Sequence, residues 1–308
     1  MNKVALIIIY NHQYNSNIEI VEKIYNNRFT HIHHLVPFYK GDKSNVIPVY
    51  ESSYYFQGYI VQGLKSFYKE EYSHYFFIAD DMILNPAINE NNYREHLQLS
   101  DHSCFISRLS AIDEAQRFWS MNLHAIMYNS KSPGVEAETQ LPTYSEAQDA
   151  LKKFNVINKP LSFEHIWQKP QTRGEWLNKI KKDKKFIARY FKNKVTGKGY
   201  DLSYPLVRSY SDIFIISSDA IKQFCHYAGV FAATRLFVEL AIPTALVFSA
   251  KEIKTEKDIQ LKGMALWTKE DISLLDEYDF NLKKLLDNFP KDKLYIHPVK
   301  LSKWVTEI

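Results

Sequence analysis

Residues 4–10, VALIIIY, form an unbroken and largely β-branched apolar run, the pattern of a strand covered on both faces and hence of a central parallel strand. Asn17 then offers a helix cap, with Ile18, Val21 and Ile24 at helical spacing through IEIVEKIYNN. HIHHLVPF (31–38) and NVIPVY (45–50) read as further strands. Residues 54–68 place Tyr55, Tyr59, Leu64 and Phe67 near one helical face, and YFFIA (75–79) is strand again. This alternation over the first 80 residues predicts a doubly wound α/β sheet with right-handed crossovers. Such sheets bind ligands at the carboxyl ends of their strands, which here are Tyr10–His12, Tyr50–Ser52 and Asp80–Asp81.

Farther along, CFISRLS (104–110) has strand character, while 128–160 is rich in turns and contains the helix-like YSEAQDALKKF. SDIFIIS (211–217) predicts a strand, Asp219 to Ser249 helical pieces, and 269–289 a polar helix before the tail KLYIHPVKLSKW. No internal repeat or low-complexity tract interrupts the chain.

Its 308 residues, 45% hydrophobic and 24% charged, suit one elaborated domain or two unequal lobes. Two cysteines, Cys104 and Cys225, exclude a disulfide framework and a cysteine-rich zinc site, so a reducing cytoplasm is the expected compartment. The amino terminus reads as a first strand rather than a signal peptide. No membrane span is expected, since Arg235, Glu239 and Pro243 break the longest apolar stretch, 228–248. The net charge of +4 is unevenly held: residues 151–200 carry 14 basic against three acidic residues, leaving the rest of the chain net acidic.

Chemistry is suggested first by Asp80 and Asp81 in HYFFIADDMILNP, two carboxyls where a strand leaves a core. Like charges at such a rim repel, and a divalent cation resolves the conflict. Mg²⁺ or Mn²⁺ is commonly held by one or two carboxylates, with substrate phosphates completing the shell. The plainer alternative is a turn residue followed by a cap. Neither a dinucleotide fingerprint nor a P-loop is present, so a bound nucleotide would need another hold on its phosphates.

FFIADDMIL resembles the metal-binding DxD region of GT-A-fold nucleotide-sugar glycosyltransferases. The resemblance implies a GT-A-like sheet flanked by helices, with Asp81 as ligand to Mn²⁺ or Mg²⁺ and Asp80 near the ribose or sugar. Ala79 stands where the first acidic residue of the triplet is usual. The resemblance further implies base contacts from Tyr10, Asn11 and His12, and a diphosphate contact from Lys300 or Lys303. It makes His297 a second metal ligand, against the ordinary structural role of a lone histidine before proline. The general base of an inverting transfer would be Glu239, which interrupts LFVELAIPTALVF, with Asp212 as second choice. Against this, Glu239 could simply pair with Arg235 on the same helical face. A retaining transfer would need no such base.

On this reading, 1–110 is the nucleotide-sugar-binding half, 111–200 a basic insertion, and 201–308 the acceptor-binding and carboxyl-terminal part of one catalytic domain. The donor is a nucleotide diphosphate sugar and the acceptor a glycan or lipid-linked glycan. The lysines and aromatics of 179–198 fit three roles: a solvated helix face, a patch on an anionic membrane, or, with no supporting motif, a nucleic-acid contact. A membrane patch would suit a cytoplasmic enzyme of cell-surface polysaccharide synthesis, peripheral on the inner membrane face. The rival functions are a sugar-phosphate nucleotidyltransferase, which would show a glycine-rich basic loop after the first strand, and a non-catalytic membrane-surface or nucleic-acid binding module.

Overall fold

The computed structural model describes residues 3–115, 119, 121–131, 134, 136–166, 172–182, 191–192, 195–197 and 199–308. Its first strand, β1 (Lys3–Ile9), is buried at every position after Lys3. Ala5, Ile7 and Ile9 enter one hydrophobic core, and Val4, Leu6 and Ile8 enter the other, so a period of two feeds both sides of the sheet. β2 (His31–Pro37), β3 (Val46–Val49) and β4 (Tyr72–Ala79) extend it in parallel, with β1 between β2 and β4.

Two short strands, β5 (Ile83–Leu84) and β6 (Ser103–Ile106), follow, and then β7 (Ile213–Ser217) and β8 (Glu252–Lys254). The main sheet has seven strands in the order β3-β2-β1-β4-β7-β6-β8, with β7 antiparallel to both neighbours. It is therefore a mixed α/β sheet, and its strands come from both sides of the 111–200 segment. Helices Gln57–Phe67, Ile221–Ala233 and Val238–Ser249 contribute to one core; helix Asn15–Tyr25 packs into the other. Against that second face lies a small sheet of β5, β9 (Lys262–Ala265) and β10 (Lys293–His297), with β10 in the middle.

Several expectations are corrected. Asn17 is not a cap: the helix starts at Asn15, and Asn17 is buried in its first turn. The strand expected over 104–110 stops at Ile106. The polar helix expected over 269–289 is three pieces, Lys269–Ser273, Asp276–Tyr278 and Leu282–Asp287. Asp279 and Phe280 break it with left-handed φ values of 52° and 51°, and the Asn281 side chain caps the last piece by accepting from the Lys284 N–H. Among the described residues, no helix is long and apolar enough to cross a membrane. Of 179–198, the described part comprises the end of helix Arg173–Lys182 and a few isolated positions; the proposed membrane patch lies largely outside the described residues.

Candidate functional site

The carboxyl ends of β1 and β4 open into a cavity of about 500 Å³. Ile9 accepts a hydrogen bond from the Asp80 N–H at 3.0 Å, which holds the start of the Asp80–Asp81 turn against β1. Because β7 runs antiparallel, its first end lies beside the last residue of β4: the Ala79 N–H donates to the Asp212 carbonyl at 2.9 Å. The reversal of that strand is what brings Asp212 to the rim. β10 arrives from the small sheet, and the Val299 N–H donates to the Asp81 carbonyl at 2.7 Å, so the segment after His297 is tied to the same turn.

Asp80, Asp81, Asp212, Glu239 and His297 line this cavity, together with Asn11, His12, Lys300 and Lys303. Nε2 of His297 lies 2.8 Å from Oδ1 of Asp81. That oxygen is buried and, despite the short separation, receives no well-directed hydrogen bond among the described residues. A separation near 3 Å is about what two adjacent ligands of an octahedral Mg²⁺ or Mn²⁺ show. The pair thus fits a shared cation as well as a mutual ion pair. Nδ1 of His297 is 2.6 Å from the Tyr210 hydroxyl, which in turn hydrogen-bonds Asp212. A relay of this kind fixes the orientation and tautomer of a ligating imidazole. No three acidic, histidine or cysteine side chains among the described residues group as a complete metal site. The protein would supply two ligands and leave the remaining positions to substrate and water.

Charge is concentrated here. Burial and the neighbouring Asp81 carboxylate push the Asp80 carboxyl up to about 7, against a hydrogen bond from the Asn17 side chain. That contact explains why Asn17 is buried rather than capping. Burial, and then the Asp212 charge, push Glu239 up to about 7, while Arg108 and Arg208 oppose the shift. Asp212 is raised by burial. Burial would lower His297, yet Asp81 and Asp212 outweigh it and raise the imidazole.

Glu239 does not pair with Arg235. Arg235 precedes the helix, with φ of 59°, and its Nη1 is 2.7 Å from Glu51 instead. Glu239 lies in the first turn of helix Val238–Ser249, four residues before Pro243. Pro243 has no N–H to give the Glu239 carbonyl, and the Ser209 N–H takes that place at 3.1 Å. This ties the helix start to the Arg208–Tyr210 segment. Beyond it lies a second cavity of about 690 Å³, which shares Glu239 and Trp267 with the first.

Tyr10 is not at the site. Its position continues the Val4, Leu6, Ile8 face into the core, and its hydroxyl sits 3.1 Å from Nδ1 of His34. Tyr50–Ser52 follow an edge strand and do not line the cleft either. Asn11 and the exposed His12 do, with the His12 ring edge-on to Tyr14 at 5.6 Å. Lys300 and Lys303, on the turn after β10, are exposed and form no ion pair among the described residues. Tyr210, Trp267 and Asn17 were missed as site residues. Only Pro243, four residues after an isolated glutamate, left a sequence signal for this part of the geometry. The chain matches no protein-family model, and no curated protein is similar to it.

Proposed function

We propose that this protein is a metal-dependent glycosyltransferase of GT-A-like fold that moves a sugar from a nucleotide diphosphate sugar to a glycan or lipid-linked acceptor. The observation that carries the reading is a pair of neighbouring cavities, one lined by Asp81, His297 and two lysines, that share Glu239 and Trp267 in their walls. Asp81 and His297 would hold Mn²⁺ or Mg²⁺, which when bound neutralises charge on the leaving diphosphate. Lys300 and Lys303 supply further positive charge to that diphosphate. Asn11 and His12 line the side suited to the base, and Asp80, held by Asn17, borders the ribose or sugar.

Glu239 faces the acceptor side as general base. Its carboxylate takes the proton of the attacking hydroxyl as the new glycosidic bond forms and the anomeric carbon–diphosphate bond breaks, the bonding electrons leaving with the nucleoside diphosphate. A base with a pKa near neutrality is well matched to that task. The anomeric configuration would be inverted. A cytoplasmic, membrane-peripheral setting for polysaccharide synthesis belongs to the same proposal.

The test is binding of UDP, GDP and CDP with and without Mn²⁺, followed by hydrolysis of a panel of nucleotide sugars. One nucleotide should bind in a manganese-dependent manner. Asp81→Ala should weaken this at least about tenfold and Asp80→Asn less, because a charged-group contact contributes roughly 1.5–3 kcal/mol. Absence of manganese-dependent binding for every nucleotide would sink the reading.

A further inference from the structure

We propose that the second cavity binds an anionic acceptor, a sugar carrying a carboxylate or a phosphate that Arg108 and Arg208 grip. The inference rests on the transferase reading for the cavity's role as acceptor site, and on the cavity itself for its chemistry. Arg108, Trp119, Arg208, Tyr210, Glu239 and Trp267 line a space of about 690 Å³, ample for a sugar ring.

Arg208 is held firmly. Its backbone exchanges hydrogen bonds with Ser110 at 3.0 and 3.1 Å, an isolated bridge that also fixes the segment carrying Arg108. Its guanidinium carbon lies 4.9 Å from the centre of the Trp119 ring. Nη1 of Arg208 is buried and makes no hydrogen bond, and neither arginine forms an ion pair with a carboxylate among the described residues. Burial and then the like charge of Arg108 lower the Arg208 pKa, against the pull of the Glu239 and Glu114 carboxylates that line the same cavity. A half-buried guanidinium with an unsatisfied N–H and a second positive charge lining the same cavity gains from a further anion there. A carboxylate or phosphate accepts the planar fork of an arginine in two parallel bonds, which a neutral hydroxyl cannot. The exposed Trp267 and half-buried Trp119 offer apolar faces for the ring that carries the anion.

The rival role for these arginines is to keep Glu239 ionised, and it makes a different prediction. Calorimetric titration of the full chain in EDTA, with methyl glucuronide, glucose 1-phosphate and methyl glucoside as probes, separates the two. One anionic probe should bind at least about tenfold tighter than methyl glucoside, and the preferred one identifies carboxylate or phosphate as the group recognised. Arg208→Gln and Arg108→Gln should each remove most of that preference. Arg208→Gln also loses its Trp119 contact, so the exposed Arg108→Gln decides should the first variant misfold. Equal binding of neutral and anionic probes, or a preference unchanged in both variants, overturns the proposal. Manganese-dependent binding of UDP, GDP and CDP to the wild type is measured alongside: its absence for all three with the anion preference intact overturns the transferase reading alone, and its presence without that preference overturns the anion site alone.

Discussion

At Asp80 and Asp81 the chain turns out of β4, and the two carboxyls meet different surroundings. Asp80 is buried against Asn17, whereas Asp81 faces His297 across 2.8 Å. Adjacency in sequence fixed neither environment; strand parity and the arrival of β10 did. Tyr10 makes the same point in reverse, since its place in the two-residue period commits it to the core. Glu239 supports a pH prediction. Burial and Asp212 raise its pKa from 4.5 to about 7 against the pull of Arg108 and Arg208. The folded protein thus binds the Glu239 proton more tightly than the unfolded chain, and stability from this group falls as pH rises from about 4.5 to about 7. Glu239→Gln should consequently raise Tm relative to wild type at pH 8, by up to about 3 kcal/mol in stability, and leave it unchanged near pH 4. Thermal melts at the two pH values check this. In the same proposed role, kcat/KM of the wild type should rise with pH through about 7 and fall by about a hundredfold or more in Glu239→Gln.

Among the elements, helix Val238–Ser249 shows how a local rule acts at a distance. Pro243 withholds an N–H from the Glu239 carbonyl, and Ser209 fills the position. Pro243→Ala restores a competing helical donor, so the Ser209 amide should exchange several-fold faster with solvent deuterium while the fold persists; unchanged exchange would show that the link does not depend on the proline. The apolar runs of β1, the end of β4 and β7 were legible because burial on both faces writes an unbroken hydrophobic pattern. The broken helix over 269–289 was not. Its buried Leu275, Tyr278, Leu282 and Leu285 keep a helical spacing even though two left-handed residues interrupt the backbone. Spacing reports which residues meet the core, and a turn between short helical pieces can satisfy it equally well.

For the whole molecule, the cleft depends on two sheets meeting. The main sheet supplies Asp80, Asp81 and Asp212 at one rim, and the small sheet delivers His297 and the turn bearing Lys300 and Lys303. A ligand spanning both should hold them together. With Mn²⁺ and whichever nucleoside diphosphate binds at 100 times Kd, mass action contributes about 2.7 kcal/mol, a Tm rise on the order of 5 °C. His297→Ala should abolish most of that rise, and a rise of equal size in the variant would detach His297 from the proposed nucleotide site. By itself the sequence determined the α/β class, the central strand, and the acidic turn at a strand end, because each is written in residues close together along the chain. The antiparallel entry of β7, the Tyr210 relay and the convergence of Arg108 and Arg208 on one cavity were decided by tertiary structure alone. Those contacts join segments remote in sequence, and the energy that selects them is the burial of whole faces, which leaves no mark at the individual polar residues it brings together.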